Sequence, residues 1–151
     1  MLCGSVPSSA EGRKYFSTLC EVAEGAIDIG FIVSLSIGEL RDQLGRASAY
    51  VQATGFGIGR EAISDFAKAE HFGIANVEAV AAGCETFAYQ VGGPREIFEK
   101  LDSGRRHSSL DELAVLMEQL EVARVFPEVR DRAASEFGED HFAKDLLRIV
   151  G

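Results

Sequence analysis

Tryptophan is absent from the 151 residues, and proline and cysteine each occur only three times. Cys3, Cys20 and Cys84 are an odd number with no CxxC spacing. That excludes a disulfide framework and reads as reduced thiols in a cytoplasmic protein. The histidines, His71, His107 and His141, lie far apart with no second histidine or cysteine at i+3 or i+4, so no structural metal site is expected. Basic residues are scarce: Lys+Arg is 15 against 24 for Asp+Glu, a net charge of −9. A phosphate-binding face needs the opposite sign, so nucleic acid is excluded as a partner, and so is an anionic membrane surface. Long apolar runs are missing too. The stretch Ala26–Leu40 is interrupted by Asp28, Ser34 and Ser36, too short and too polar to span a bilayer. Met1–Ser9 lacks the basic start of a signal peptide.

What is present is an ordinary folded composition, 46% apolar and 26% charged. The length suits one domain with a core that needs no covalent staple. The chain reads as two parts, 1–36 and 37–151. In the first, Ser8–Glu24 carries Tyr15, Phe16, Leu19, Val22 and Ala23 at helical spacing, with serines placed to cap it. Ala26–Leu35 is a short β-branched run that fits a buried strand, and Met1–Val6 suits another. From residue 37 onward the pattern predicts helices throughout. These are Glu39–Thr54, with Leu40, Leu44, Ala47 and Val51 on one stripe, then Arg60–Phe72 and Asn76–Tyr89. Arg95–Leu101 follows the turn Gly92-Gly93-Pro94, with Pro94 suited to a first helical position. After a polar connection, Ser103–His107, a helix starts at Ser108 or Ser109 with Asp111 and Glu112 in its first turn. Pro127–Phe137 and Glu139–Val150 close the chain. The expected fold is therefore mainly α, a multi-helix domain preceded by a short strand–helix–strand.

Several groups carry chemistry. Gly55–Gly59 is glycine-rich, but a phosphate loop needs a strand before the glycines. With a helix expected there, a kink is the favoured reading. Glu39, Arg41 and Asp42 sit where the architecture changes, which suits a site, although acids at a helix start are also explained by the dipole. Tyr50 and Gln52 are equally open to a site or a bland role. Cys84, Glu85 and Tyr89 are placed on one helix, with Cys84 a small core residue because no base is near it in sequence. Arg105-Arg106-His107 reads as an exposed charged loop, and His141 as a surface residue.

The order of segments resembles the imine reductases and β-hydroxyacid dehydrogenases of the 6-phosphogluconate dehydrogenase-like superfamily. The resemblance rests on Gly4-Ser5, on Ala26-Ile27-Asp28-Ile29-Gly30 and on Arg60-Glu61-Ala62 leading to Glu70-His71-Phe72-Gly73-Ile74. It continues through Ile97–Gly104 and Pro127–Ala143. It implies that 37–151 is a C-terminal dimerisation and substrate-binding domain of that type, and 1–36 a remnant of the nucleotide-binding domain. The departures are large. The G-x-G-x-x-G turn is missing, and no lysine lies between Lys14 and Lys68, where the dehydrogenase branch places its catalytic lysine. No cofactor is therefore expected.

Under this resemblance the chain is a homodimer that binds a small molecule and performs cofactor-independent acid/base chemistry, an isomerase, cyclase or dehydratase. Asp42 is the expected acid/base, with Arg41, Tyr50 and Glu61 as substrate contacts. Three alternatives stand beside it: a non-catalytic oligomerisation or partner-binding module, a fragment of an NADP-dependent oxidoreductase, and an unrelated acidic helical bundle.

Overall fold

The computed structural model describes residues 1–26, 28–57, 70–120 and 125–150. It divides the chain into two compact units, Met1–Gln43 and Leu44–Gly151.

The first unit opens with strand β1 (Leu2–Gly4), helix α1 (Ala10–Ala23) and strand β2 (Phe31–Val33). The strands pair in parallel with Leu2 opposite Phe31 and Gly4 opposite Val33. Parallel neighbours need a crossover, and α1 provides it. The helix starts where expected because the Ser9 hydroxyl accepts from the Gly12 amide at 3.0 Å. β2 is shorter than the apolar run that announces it. Asp28 before it and Ser34 after it both take the left-handed conformation, with φ of 72° and 59°. Helix α2 (Ile37–Arg46) follows. Its start is a reciprocal capping box: the Ser36 amide donates to Glu39 Oε2 at 2.8 Å, and the Glu39 amide to the Ser36 hydroxyl at 3.3 Å.

The second unit is built on a parallel sheet of order β3-β4-β5, from β3 (Ala49–Gln52), β4 (Glu85–Tyr89) and β5 (Arg105–His107). Helix α3 (Ile74–Ala82) connects β3 to β4, and α4 (Gly93–Leu101) connects β4 to β5. Helices α5 (Leu110–Glu118), α6 (Pro127–Glu136) and α7 (Glu139–Val150) complete it. The core joins Val77 and Val80 of α3, Ala88 of β4, and Ile97, Phe98 and Leu101 of α4 to Val125 and Ala133, with Phe137 packed against them. Arg130 donates to the Ala81 carbonyl at 3.2 Å, satisfying an acceptor at the end of α3. Cys84 is fully buried, and its thiol lies 3.2 Å from the Leu44 carbonyl, consistent with a small core residue.

The mainly-α expectation is thus corrected to a parallel α/β architecture. The helix expected over Glu39–Thr54 ends at Arg46 and is followed by β3; the one expected over Asn76–Tyr89 is α3 followed by β4; the connection at 103–107 contains β5. The edge strands β3 and β5, of four and three residues, are too short to show a period; for β4 the physical reason is burial on both faces. Thr86, Phe87, Ala88 and Tyr89 are all buried, so β4 shows no alternation of polar and apolar residues and merges by eye with the helix before it. The helix expected over Arg60–Phe72 falls mostly on residues outside those described.

Candidate functional site

A parallel sheet collects its loops at the carboxyl ends of its strands, and ligands of open α/β sheets bind there. In the second unit this edge carries Gln52, Tyr89 and His107, the last residues of β3, β4 and β5, together with the starts of α3 and α4. Glycine makes the local geometry possible. Glu70 and Gly92 form a parallel bridge, and the Gly93 amide donates to the Glu70 carbonyl at 2.9 Å. A Cβ on Gly92 would lie 2.1 Å from that carbonyl oxygen, and Gly92 has a φ of 90°. Only glycine allows this approach, and the approach delivers Glu70 to the strand ends.

The Glu70 carboxylate is held there by side chains. Gln52 Nε2 donates to Glu70 Oε2 at 2.7 Å. Asn76, fully buried in the first turn of α3, donates through Nδ2 to Gln52 Oε1. Tyr50 shares the Gln52 face of β3, two residues back. Burial pushes its phenol above the ordinary tyrosine range, and the charges of Glu70 and Glu78 add to the shift. Two carboxylates, Glu70 and the α3 residue Glu78, thus act on one half-buried phenol.

Next to this polar cluster is an aromatic one. Phe56, in the loop after β3, meets Tyr89 edge-on at 5.8 Å and the His107 ring at 6.5 Å; Tyr89 and His107 are 5.9 Å apart. His107 is 1% exposed, and neither ring nitrogen finds a hydrogen-bond partner among the described residues. The exposed basic loop expected at 105–107 is therefore corrected: Arg105 pairs with Glu85 at 2.9 Å, Arg106 with Glu99 at 3.0 Å, and His107 turns inward. Gly55 and Gly57, with φ of 85° and 79°, follow a strand rather than interrupting a helix.

Among the residues singled out from sequence, Arg41 and Asp42 are exposed on α2 and belong to the first unit. Tyr50 belongs to the second and lies with Gln52, Glu70 and Asn76. Glu61 lies outside the described residues. Glu70 and Asn76 were missed as site residues. The signal that marks them is the pair of glycine turns, Gly73 and Gly92-Gly93, each opening a helix. Among the described residues, no cluster of three or more His, Cys, Asp or Glu is placed to hold a metal ion. None of the described helices is long and apolar enough to cross a membrane.

Parallel strands with helical crossovers, and a polar, glycine-framed edge at the strand ends, define a parallel α/β unit. The family model for glycosyl transferases group 1 matches residues 1–123. The chain belongs to that family. Searches against curated proteins and against solved structures returned no match.

This finding overturns the resemblance to the imine reductases and the 6-phosphogluconate dehydrogenase-like superfamily. One of the short stretches that suggested it, Glu70–Ile74, is a glycine turn leading into α3, which unrelated α/β folds share for the same steric reason. With it go the truncated-reductase function, the isomerase, cyclase or dehydratase chemistry, and the alternatives of an NADP-dependent fragment, a non-catalytic module and an acidic bundle.

Proposed function

We propose that the strand-end site of the second unit takes part in transferring a sugar from an activated donor to an acceptor hydroxyl. In such a transfer the bond from the anomeric carbon to the leaving oxygen breaks and a bond to the acceptor oxygen forms. The acceptor loses its proton, and the leaving group departs with the electron pair. Positive charge develops at the anomeric carbon and negative charge on the leaving group.

The observation that carries this reading is the family match over residues 1–123. The geometry supports it at both charges. Glu70, fixed by Gln52, is a carboxylate available to sugar hydroxyls and to the developing positive charge. No side chain caps the starts of α3 and α4, framed by Gly73 and by Gly92-Gly93, and the positive end of a helix suits a diphosphate leaving group. A nucleoside diphosphate sugar is the donor class that matches. The acid/base role expected of Asp42 came from the reductase resemblance; in sugar transfer we assign the acidic group to Glu70. Three cysteines, Cys3, Cys20 and Cys84, with no CxxC spacing, support a reducing, cytoplasmic setting.

The test is a calorimetric titration of the 151-residue chain with UDP- and GDP-sugars, with NADPH as the control. Micromolar binding of at least one sugar nucleotide, weakened tenfold or more by Glu70→Gln, is expected. Absence of binding to all of them, or binding indifferent to Glu70→Gln, overturns the reading.

A further inference from the structure

Glu70 does not stand at the strand ends unaided, and the way it is held has a direction. A carboxylate only accepts hydrogen bonds, so Gln52 must turn its Nε2 toward Glu70 Oε2, 2.7 Å away. That leaves Gln52 Oε1 facing Asn76, which must then present Nδ2. The amide of Asn76 is fully buried, and its own Oδ1, turned away, has no donor among the described residues. A buried orphan acceptor is unfavourable and calls for an explanation. Here the explanation is that Asn76 is committed to one orientation by the acidic end of the chain of bonds. Gly73 completes the arrangement. A Cβ there would come 2.6 Å from Asn76 Nδ2 and 3.3 Å from Glu70 Cγ.

We propose that Gln52 and Asn76 are positioning residues for sugar transfer: an Asn76→Gln52→Glu70 relay that locks the Glu70 carboxylate with Oε2 occupied and Oε1 turned to the donor sugar. The inference rests on the transferase reading above. Among the described residues Glu70 Oε1 takes no hydrogen bond, so it is the oxygen left for substrate. A carboxylate fixed in one rotamer acts most on charge that exists only in the transition state. Loosening it lowers kcat more than it weakens donor binding.

The variant that isolates this is Gln52→Met, which keeps the volume and removes both hydrogen bonds. Transfer from whichever sugar nucleotide the chain binds is measured for the parent, Gln52→Met, Glu70→Gln and the double variant. The relay requires kcat to fall about 10- to 100-fold in Gln52→Met with donor KM within about threefold. It also requires the double variant to be no slower than Glu70→Gln, since Gln52 acts only through Glu70. An unchanged kcat, or losses that simply multiply, overturns it.

A second readout needs no activity. In the ligand-free protein the Gln52 side-chain amide protons are followed by NMR. One of them, hydrogen-bonded to the carboxylate, exchanges slowly and shifts on Glu70→Gln and on Asn76→Leu. If it responds to neither, the relay is absent. If it responds to both while Glu70→Gln leaves transfer intact, the geometry stands, the transferase role of Glu70 falls, and the positioning role falls with it.

Discussion

At the scale of single residues, the site concentrates acid around one phenol. Tyr50 is raised from the ordinary tyrosine range first by burial and then by Glu70 and Glu78. In the unfolded chain a tyrosine ionises near ~10. A folded value above the unfolded one means the folded state holds the proton longer. The stability this contributes is fully present below ~10 and is lost as pH rises through the folded value. In an ultraviolet titration of the three tyrosines, the last to ionise is expected to disappear in Tyr50→Phe and to move to lower pH in Glu70→Gln. If the last step is untouched by either change, the coupling described here is wrong. Gly92 makes a second residue-scale case. With a φ of 90° and the Glu70 carbonyl oxygen 2.1 Å from the position of a Cβ, Gly92→Ala should destabilise by more than the ~1–3 kcal/mol of the backbone strain alone. It should also displace Glu70. Urea unfolding reads the first effect and donor titration the second; a variant as stable as the parent contradicts the close approach.

Elements were legible in proportion to how they begin. Helices α1, α4, α5 and α6 start at Ser9, at Pro94, at Ser109 and at Pro127, and each start was readable because a capping hydroxyl or a proline marks it. Strands β3, β4 and β5 were not legible. They have three to five residues each: β4, in the middle of the sheet, is buried on both sides, which erases the period of two, and the edge strands β3 and β5 are too short to display one. With β3 and β4 read as helix and β5 as a polar connection, Tyr50 and Gln52 lose their common face and the strand ends vanish as a place. The Gln52–Glu70 and Asn76–Gln52 bonds join residues 18 and 24 apart in sequence, a proximity that only the β3–α3 crossover creates. The same logic of local surroundings separates the glycines. Gly38, in α2, has nothing within 4 Å of a Cβ placed there and no positive φ. Gly38→Ala is therefore expected to stabilise by about 0.5–1 kcal/mol through helix propensity, opposite in sign to Gly92→Ala. Thermal denaturation of the two variants side by side checks the contrast, and a Gly38→Ala protein that melts lower would refute it.

For the whole molecule, the distribution of burial sets the distribution of stability. Every buried side chain described lies in the second unit, from Asn76 to Ala133, and none lies within Met1–Gln43. Fully buried Phe87, Ile97 and Leu101 contribute about 1.5–3 kcal/mol each by leaving water. The half-buried Phe16 and Phe31, which meet edge-on at 5.6 Å, contribute less. A unit of this length is also close to the ~40-residue size at which a core alone stops sufficing. Local opening of the first unit therefore needs far less free energy than opening of the sheet that carries Gln52 and Glu70. Hydrogen exchange read by mass spectrometry or NMR should find the amides of β1 and β2 exchanging at least ~100-fold faster than those of β4. Equal protection of the two sets would mean that both units open as one cooperative body, and the uneven burial would then have no thermodynamic consequence. Faster exchange confined to the first unit would instead leave the relay on the rigid part of the chain, as a carboxylate fixed for transition-state charge requires.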